Sequence, residues 1–122
     1  MQQATIVFDT EQKISIVITE TFKERNRGLF TLAKLQPGQG LLITPCRSVH
    51  SFGMAYAIDL LYLNKQLQVV KIISNMLPNR MSLALRGYST LELLSGEAQR
   101  LGIGLGSQGK LLINSYIDRS ER

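Results

Sequence analysis

One cysteine, one histidine and no long apolar run are the first features of this chain. The lone Cys46 excludes an internal disulfide and is compatible with a reducing compartment. Cys46 and His50 supply only two metal ligands where a zinc-type centre takes three or four, so Asp59 or Glu92 would have to converge on them. Nothing in the spacing requires that convergence, and neither a metal nor a cofactor is expected. No stretch approaches the roughly 20 apolar residues of a membrane helix. The start, Met1 to Asp9, lacks the basic segment and apolar run of a signal peptide. The expected location is therefore cytoplasmic with no membrane partner, although a chain that had lost a leader would read the same way. No repeat, linker or low-complexity segment interrupts the sequence.

What is present fits one small domain. The chain has 122 residues, 44% of them hydrophobic and 19% charged, an ordinary globular composition that argues against disorder, collagen and coiled coil. A chain of this size buries roughly two thirds of its unfolded surface, enough for one core. Residues 1–122 are expected to form that single domain, with the first strand and turn in 1–13 and a frayed tail at 117–122.

The net charge of +5 is regional. Between Lys34 and Leu91, the cations Lys34, Arg47, Lys65, Lys71, Arg80 and Arg86 face Asp59 alone, and this stretch carries the whole excess. A basic domain points to anionic partners. These six are scattered along the sequence, without the Lys/Arg-rich run of a nucleic-acid patch, so nucleic-acid binding is a secondary expectation.

Ile6–Phe8 and Ile14–Ile18 are β-branched runs separated by a polar turn, the pattern of an opening hairpin. Thr21 and Glu24 have the spacing of a capping box and predict a short helix running to about Phe30. Leu41–Ile43 is a short buried strand. Ile58–Leu63 and Leu67–Ile73 form a second hairpin, and 75–87 reads as a loop. Ser89–Leu94 is a further strand, Gly96–Leu101 one or two helical turns, and Lys110–Asn114 a last strand after a glycine-rich turn. Gly102, Gly104 and Gly106 superficially resemble a phosphate cradle, but a strand follows them where a dinucleotide site needs a helix, so tight turns with positive φ are the better account. Short strands with frequent turns predict a mainly β domain, barrel- or sandwich-like, built of antiparallel hairpins with one or two short helices.

The most unusual segment runs from Cys46 to Met54, with the only Cys and the only His four positions apart. An imidazole near a thiol can lower its pKa and make a nucleophile. In extended chain, however, positions four apart lie about 13 Å from each other, and free cysteine is more often a small apolar filler. Asp59 and Glu92 each stand in an apolar run. Asp59 is expected to be partly buried and hydrogen-bonded or paired. Glu92 is expected either to face solvent as a strand alternate or to sit in a pocket held by Arg25, Arg27 or Arg47.

The chain as a whole, from about Ile14 to Ile113, resembles the family called domain of unknown function 192. The blocks that carry the resemblance are Arg25-Asn-Arg27-Gly28-Leu29-Phe30, Gly40-Leu41-Leu42-Ile43, Ile58-Asp59-Leu60-Leu61-Tyr62-Leu63, Leu91-Glu92-Leu93, Gly96 and Gly102-Ile103. The resemblance implies a compact, mostly β domain of bacterial and archaeal proteins with no established activity. Where the commoner family pattern reads Trp-Met-Lys-Asn-Thr, this chain has His50-Ser51-Phe52-Gly53-Met54, so no role of that Lys or Asn carries over, and His50 takes the place of an aromatic site wall.

The leading expectation is a small non-enzymatic binding module, its cleft lined by Arg27, Cys46, Ser48, His50, Met54, Asp59 and Glu92, for an anionic or peptide-like ligand. The alternatives are a hydrolase or transferase using Cys46 with His50, or His50 with Asp59 as an oriented base, and weak nucleic-acid binding through the basic middle region. The partner is then an unidentified small ligand or a protein, and the chain a monomer or, through its edge strands, a weak dimer.

Overall fold

The computed structural model describes residues 1–9, 11–27 and 34–113, without the side chains of Phe22, Asn26 and Arg27. Among the described residues nine strands and two short helices follow one another as β1 (Gln2–Phe8), β2 (Lys13–Ile18), α1 (Phe22–Arg27), β3 (Gln39–Ile43), β4 (Ser48–His50), β5 (Ile58–Leu63), β6 (Val69–Met76), β7 (Met81–Leu83), β8 (Ser89–Leu94), α2 (Glu97–Arg100) and β9 (Gly109–Ile113). The fold is mainly β, as the short strands and frequent turns predict. Seven strands form one curled sheet in the order β6-β5-β8-β3-β2-β1-β9, and β4 pairs with β7 in a separate two-stranded flap.

Burial explains why the strands differ in sequence. In β1 and β2 buried positions alternate with more exposed ones, because one face of this half of the sheet is covered. All six residues of β5 are buried, as are five of six in β8, so both strands read as near-continuous apolar runs. One face of the sheet carries Ile6, Phe8, Ile14, Ile16, Leu61, Leu63, Leu91 and Leu93, closed by Ala98, Leu101 and Ile103 from α2 and the turn after it. The opposite face carries Leu41, Ile43, Ile58, Leu60 and Tyr62, and is roofed by Val49 of β4 and Ala84 just after β7.

Two features depart from a fold of hairpins alone. β2 and β3 run parallel, Ser15–Ile18 beside Gln39–Leu42, with α1 in the connection that such a crossover needs. The stretch 75–87, expected to be loop, contains the end of β6 and all of β7. The Thr21–Glu24 capping box forms as the spacing predicts: the Glu24 amide donates to Thr21 Oγ1 at 3.1 Å and the Thr21 amide to Glu24 Oε1 at 3.3 Å. Residues 28–30 of the helix expected there, Asn114 of the last strand and the tail 117–122 lie outside the described residues. Gly102 and Gly106 have φ of 71° and 84°, the left-handed turns that glycine favours. Gly40 is needed for a different reason: a Cβ there would stand 2.8 Å from Leu93 Cδ2 and 3.2 Å from the Glu92 carbonyl oxygen.

Candidate functional site

The two carboxylates expected to share a cleft lie on opposite faces of the sheet. Asp59 alternates with Leu61 and Leu63 and so faces the core beneath α2, whereas Glu92 lies across from Leu41 and Leu60 on the flap side. Asp59 is 1% exposed and its carboxylate accepts three backbone N–H groups: Asn75 at 2.8 Å on Oδ1, Gly96 at 3.1 Å and Ala98 at 3.0 Å on Oδ2. The N-cap position of α2 is Gly96, which has no side chain to cap with. Asp59 supplies the missing acceptor from a neighbouring strand and meets the helix's first free amides. The hydrogen bonding expected of Asp59 is thus present, with backbone amides as its partners.

Glu92 does not face solvent, and the side chain of Arg27, one of the arginines expected to hold it, lies outside the described residues. Glu92 is 4% exposed, no arginine or other hydrogen-bond donor among the described residues reaches its carboxylate, and burial pushes its pKa up to about 7. The expectation of a solvent-facing alternate fails because both faces of β8 are covered, so the strand offers no outward position. Close by, the Tyr62 and Ser82 hydroxyls are buried without a completed hydrogen bond. Burial raises the Tyr62 pKa, and Ser82 lies near enough to offset part of that. The underside of the flap is therefore a polar seam in an otherwise apolar core.

The Cys46 segment is pinned from three directions. Its amide donates to Tyr88 O at 2.7 Å, its carbonyl accepts Thr90 Oγ1 at 3.1 Å, and its thiol donates to the Ser48 carbonyl at 3.1 Å. His50 is exposed on β4 and stacks on Phe52, with ring centroids 5.2 Å apart. The thiol thus turns to backbone and the imidazole to an aromatic ring. Ser48 is exposed on the same strand, and Met54 packs half-buried against the flap-side core. Cys46, Ser48, His50, Met54 and Glu92 belong to the flap side, Asp59 does not, and the Arg27 side chain lies outside the described residues. Among the described residues no three His, Cys, Asp or Glu side chains group as a metal site, and no helix is long and apolar enough to cross a membrane.

The structure gathers cations that are far apart in sequence. Arg47, Lys65 and Arg86 surround an open cleft of about 640 Å³, with Cys46, Asn64 and Tyr88 in its wall and no carboxylate in the lining among the described residues. Lys65 Nζ sits 5.3 Å over the Tyr88 ring, a cation–π contact. The three cations arrive from the turn before β4, the β5–β6 turn and the turn before β8, which the Tyr88 amide ties to Leu63 O at 2.7 Å. Composition marked this region as basic; the cleft itself depends on which turns the sheet order brings together. Sequence reasoning also missed Ser51, fully buried, whose Oγ donates to Leu77 O at 2.6 Å and accepts the Arg80 amide at 2.8 Å. It ties the end of β4 to the turn before β7.

No curated protein matches the chain. Two crystal structures share its fold. A protein of unknown function from Novosphingobium aromaticivorans superposes with a TM-score of 0.76 at 20% identity, over 88% of this chain and 83% of that one. A protein from Sinorhizobium meliloti, for which a role in transcription regulation has been suggested, superposes with a TM-score of 0.77 at 16% identity, over 89% of this chain and 92% of that one. At such identities the likeness is one of fold alone. The sequence model of DUF192, described as an uncharacterized ACR family, matches residues 4–111 and so spans every strand described here except the first two residues of β1 and the last two of β9; the chain belongs to the DUF192 family.

Proposed function

We propose that this chain is a non-enzymatic binding module whose ligand presents an anionic group, phosphate or carboxylate, to the cleft between Arg47, Lys65 and Arg86. The observation that carries this reading is the convergence of three cations on a cleft whose lining, among the described residues, holds no carboxylate. Arginine suits the task, because its planar fork can grip two oxygens of an oxyanion at once. The cleft volume falls in the range of small-molecule sites, about 300–1,000 Å³. Of the residues singled out by sequence, Cys46 lines the cleft directly, and Ser48, His50 and Met54 continue the same side of the molecule. The thiol engaged by the Ser48 carbonyl and the imidazole stacked on Phe52 give the Cys46–His50 enzyme alternative no geometric support.

The test is calorimetric titration with pyrophosphate at low ionic strength, on the native chain and on Arg47→Ala and Arg86→Ala. Both side chains are exposed, so the variants should fold normally. Saturable one-to-one binding is expected, weakened about tenfold or more by either change, since hydrogen bonds to charged groups contribute about 1.5–3 kcal/mol. Unchanged affinity in both variants would remove the reading.

A further inference from the structure

A second open groove, of about 540 Å³, lies between β6 and β7 and shares no lining residue with the basic cleft. Its floor is β6, through Lys71, Ile73 and Asn75, and its wall is β7. The flap register aligns Ser48 with Leu83, Val49 with Ser82 and His50 with Met81. Hydrogen bonds cross the flap from the Ser51 amide to Arg80 O at 2.8 Å and from the Ala84 amide to Arg47 O at 2.8 Å. Because antiparallel ladders alternate inward- and outward-pointing groups, the backbone N–H and C=O of Met81 and Leu83 point away from β4. The outward carbonyl of Leu83 accepts Lys71 Nζ at 2.6 Å, which confirms that this edge faces the groove.

Among the described residues β7 pairs only with β4, and its other edge has no strand partner there. Free edges are usually protected, often by a lysine. Lys71 covers one of the four outward groups. The rest of the edge is bordered by side chains that a protected edge would keep polar: Met81 is 74% exposed, Leu83 52% and Leu77 47%. Among the described residues the groove's charges are Lys71 at the Leu83 end and Arg80 at the Met81 end, with no carboxylate in its lining.

We propose that the free edge of β7 receives an extended, acidic segment of a partner polypeptide, which adds a third strand to the flap. Backbone donors and acceptors of the segment pair with Met81 and Leu83, its apolar side chains cover Leu77, Met81 and Leu83, and its carboxylates meet Lys71 and Arg80. Strand addition obtains affinity from the main chain and selectivity from alternate side chains, and here the selectivity is for acid. A three-residue edge makes this a short, reversible contact. The proposal is independent of the anion cleft.

The test is an NMR titration of the full chain with a short capped peptide alternating glutamate and valine, beside its lysine–valine counterpart and a glutamate–valine peptide N-methylated at alternate residues. The expected result is saturable shifts of the Met81 and Leu83 amides with the acidic peptide, affinity about tenfold lower in Arg80→Glu, and at least tenfold lower for the lysine peptide and for the N-methylated one, which lacks backbone donors. Arg80 is exposed, so this variant should fold normally. Equal binding of the N-methylated or the lysine peptide would overturn the proposal. So would shifts confined to Arg47, Lys65 and Arg86, or no saturable binding of the acidic peptide at millimolar concentration. Pyrophosphate titrated in parallel reports on the anion cleft, so failure at one groove is distinguishable from failure at the other.

Discussion

Replacing Glu92 by glutamine tests the most unusual energetic feature of the core. Glu92 is almost fully buried without a hydrogen-bond partner among the described residues, and its pKa stands at about 7 against an ordinary 4.5. Between those two pH values the folded chain holds a proton that the unfolded chain has released, so stability falls as pH rises. Its contribution is fully present below about pH 4.5, is lost progressively as pH rises through 7, and stays lost above. At 1.36 kcal/mol per pH unit the interval corresponds to about 3 kcal/mol. Glutamine has nearly the same shape and no titration there. The assay is urea unfolding of the native chain and of Glu92→Gln at intervals from pH 4 to pH 8. Subtracting one from the other removes groups common to both, including Glu24 and Glu97, whose lowered pKa values act in the acidic range. The difference should swing by about 3 kcal/mol in favour of the glutamine variant as pH rises. That is roughly 1.5 M in midpoint for a slope of about 2 kcal/mol/M. A difference that does not change with pH between 4.5 and 7.5 would refute the reasoning, because it would mean that the carboxyl reaches solvent or a partner when it ionises.

Further outcomes follow from the same packing. Asp59→Asn keeps the shape but loses acceptor capacity toward three backbone amides; it should cost about 2–4 kcal/mol in urea unfolding and speed hydrogen exchange at Gly96 and Ala98, and a cost under about 1 kcal/mol would contradict the capping role. Tyr62→Phe removes a buried hydroxyl that has no completed hydrogen bond, so stability should be unchanged or rise by up to about 1 kcal/mol, whereas a loss above about 1.5 kcal/mol would show that the hydroxyl is satisfied. Gly40→Ala drives a methyl into Leu93 and toward the Glu92 carbonyl and should destabilise by about 1–3 kcal/mol, measured by thermal unfolding.

How much of this was legible in the sequence depends on how many faces each strand buries. β1 and β2 alternate because one side is covered, and β5 and β8 show as apolar runs because both sides are. The capping box at Thr21 and Glu24 is local chemistry and reads directly. β4 and β7 have only three residues each, too few for any period to appear, so the flap that walls the β6–β7 groove is invisible in the sequence. The parallel pairing of β2 with β3 was equally hidden, since a crossover with one short helix resembles an ordinary connection. The burial of Glu92 is not legible in strand alternation, which predicts an outward side chain only where a strand has an outward face. The basic character of residues 34–91 was plain from composition. That Arg47, Lys65 and Arg86 meet while Lys71 and Arg80 border a different groove follows from long-range sheet order, which no local pattern encodes.

The central claim, an anion bound in the basic cleft, can be tested most directly at Cys46. Cys46 is half-buried and lines the cleft, it is the only cysteine in the chain, and a neutral alkylating reagent reports its accessibility by mass spectrometry without competing for the cations. Pyrophosphate is predicted to slow alkylation of Cys46 saturably in the native chain, and to do so much less in the Arg47→Ala, Arg86→Ala double variant. Equal alkylation rates with and without pyrophosphate, or equal protection in the double variant, would contradict the account.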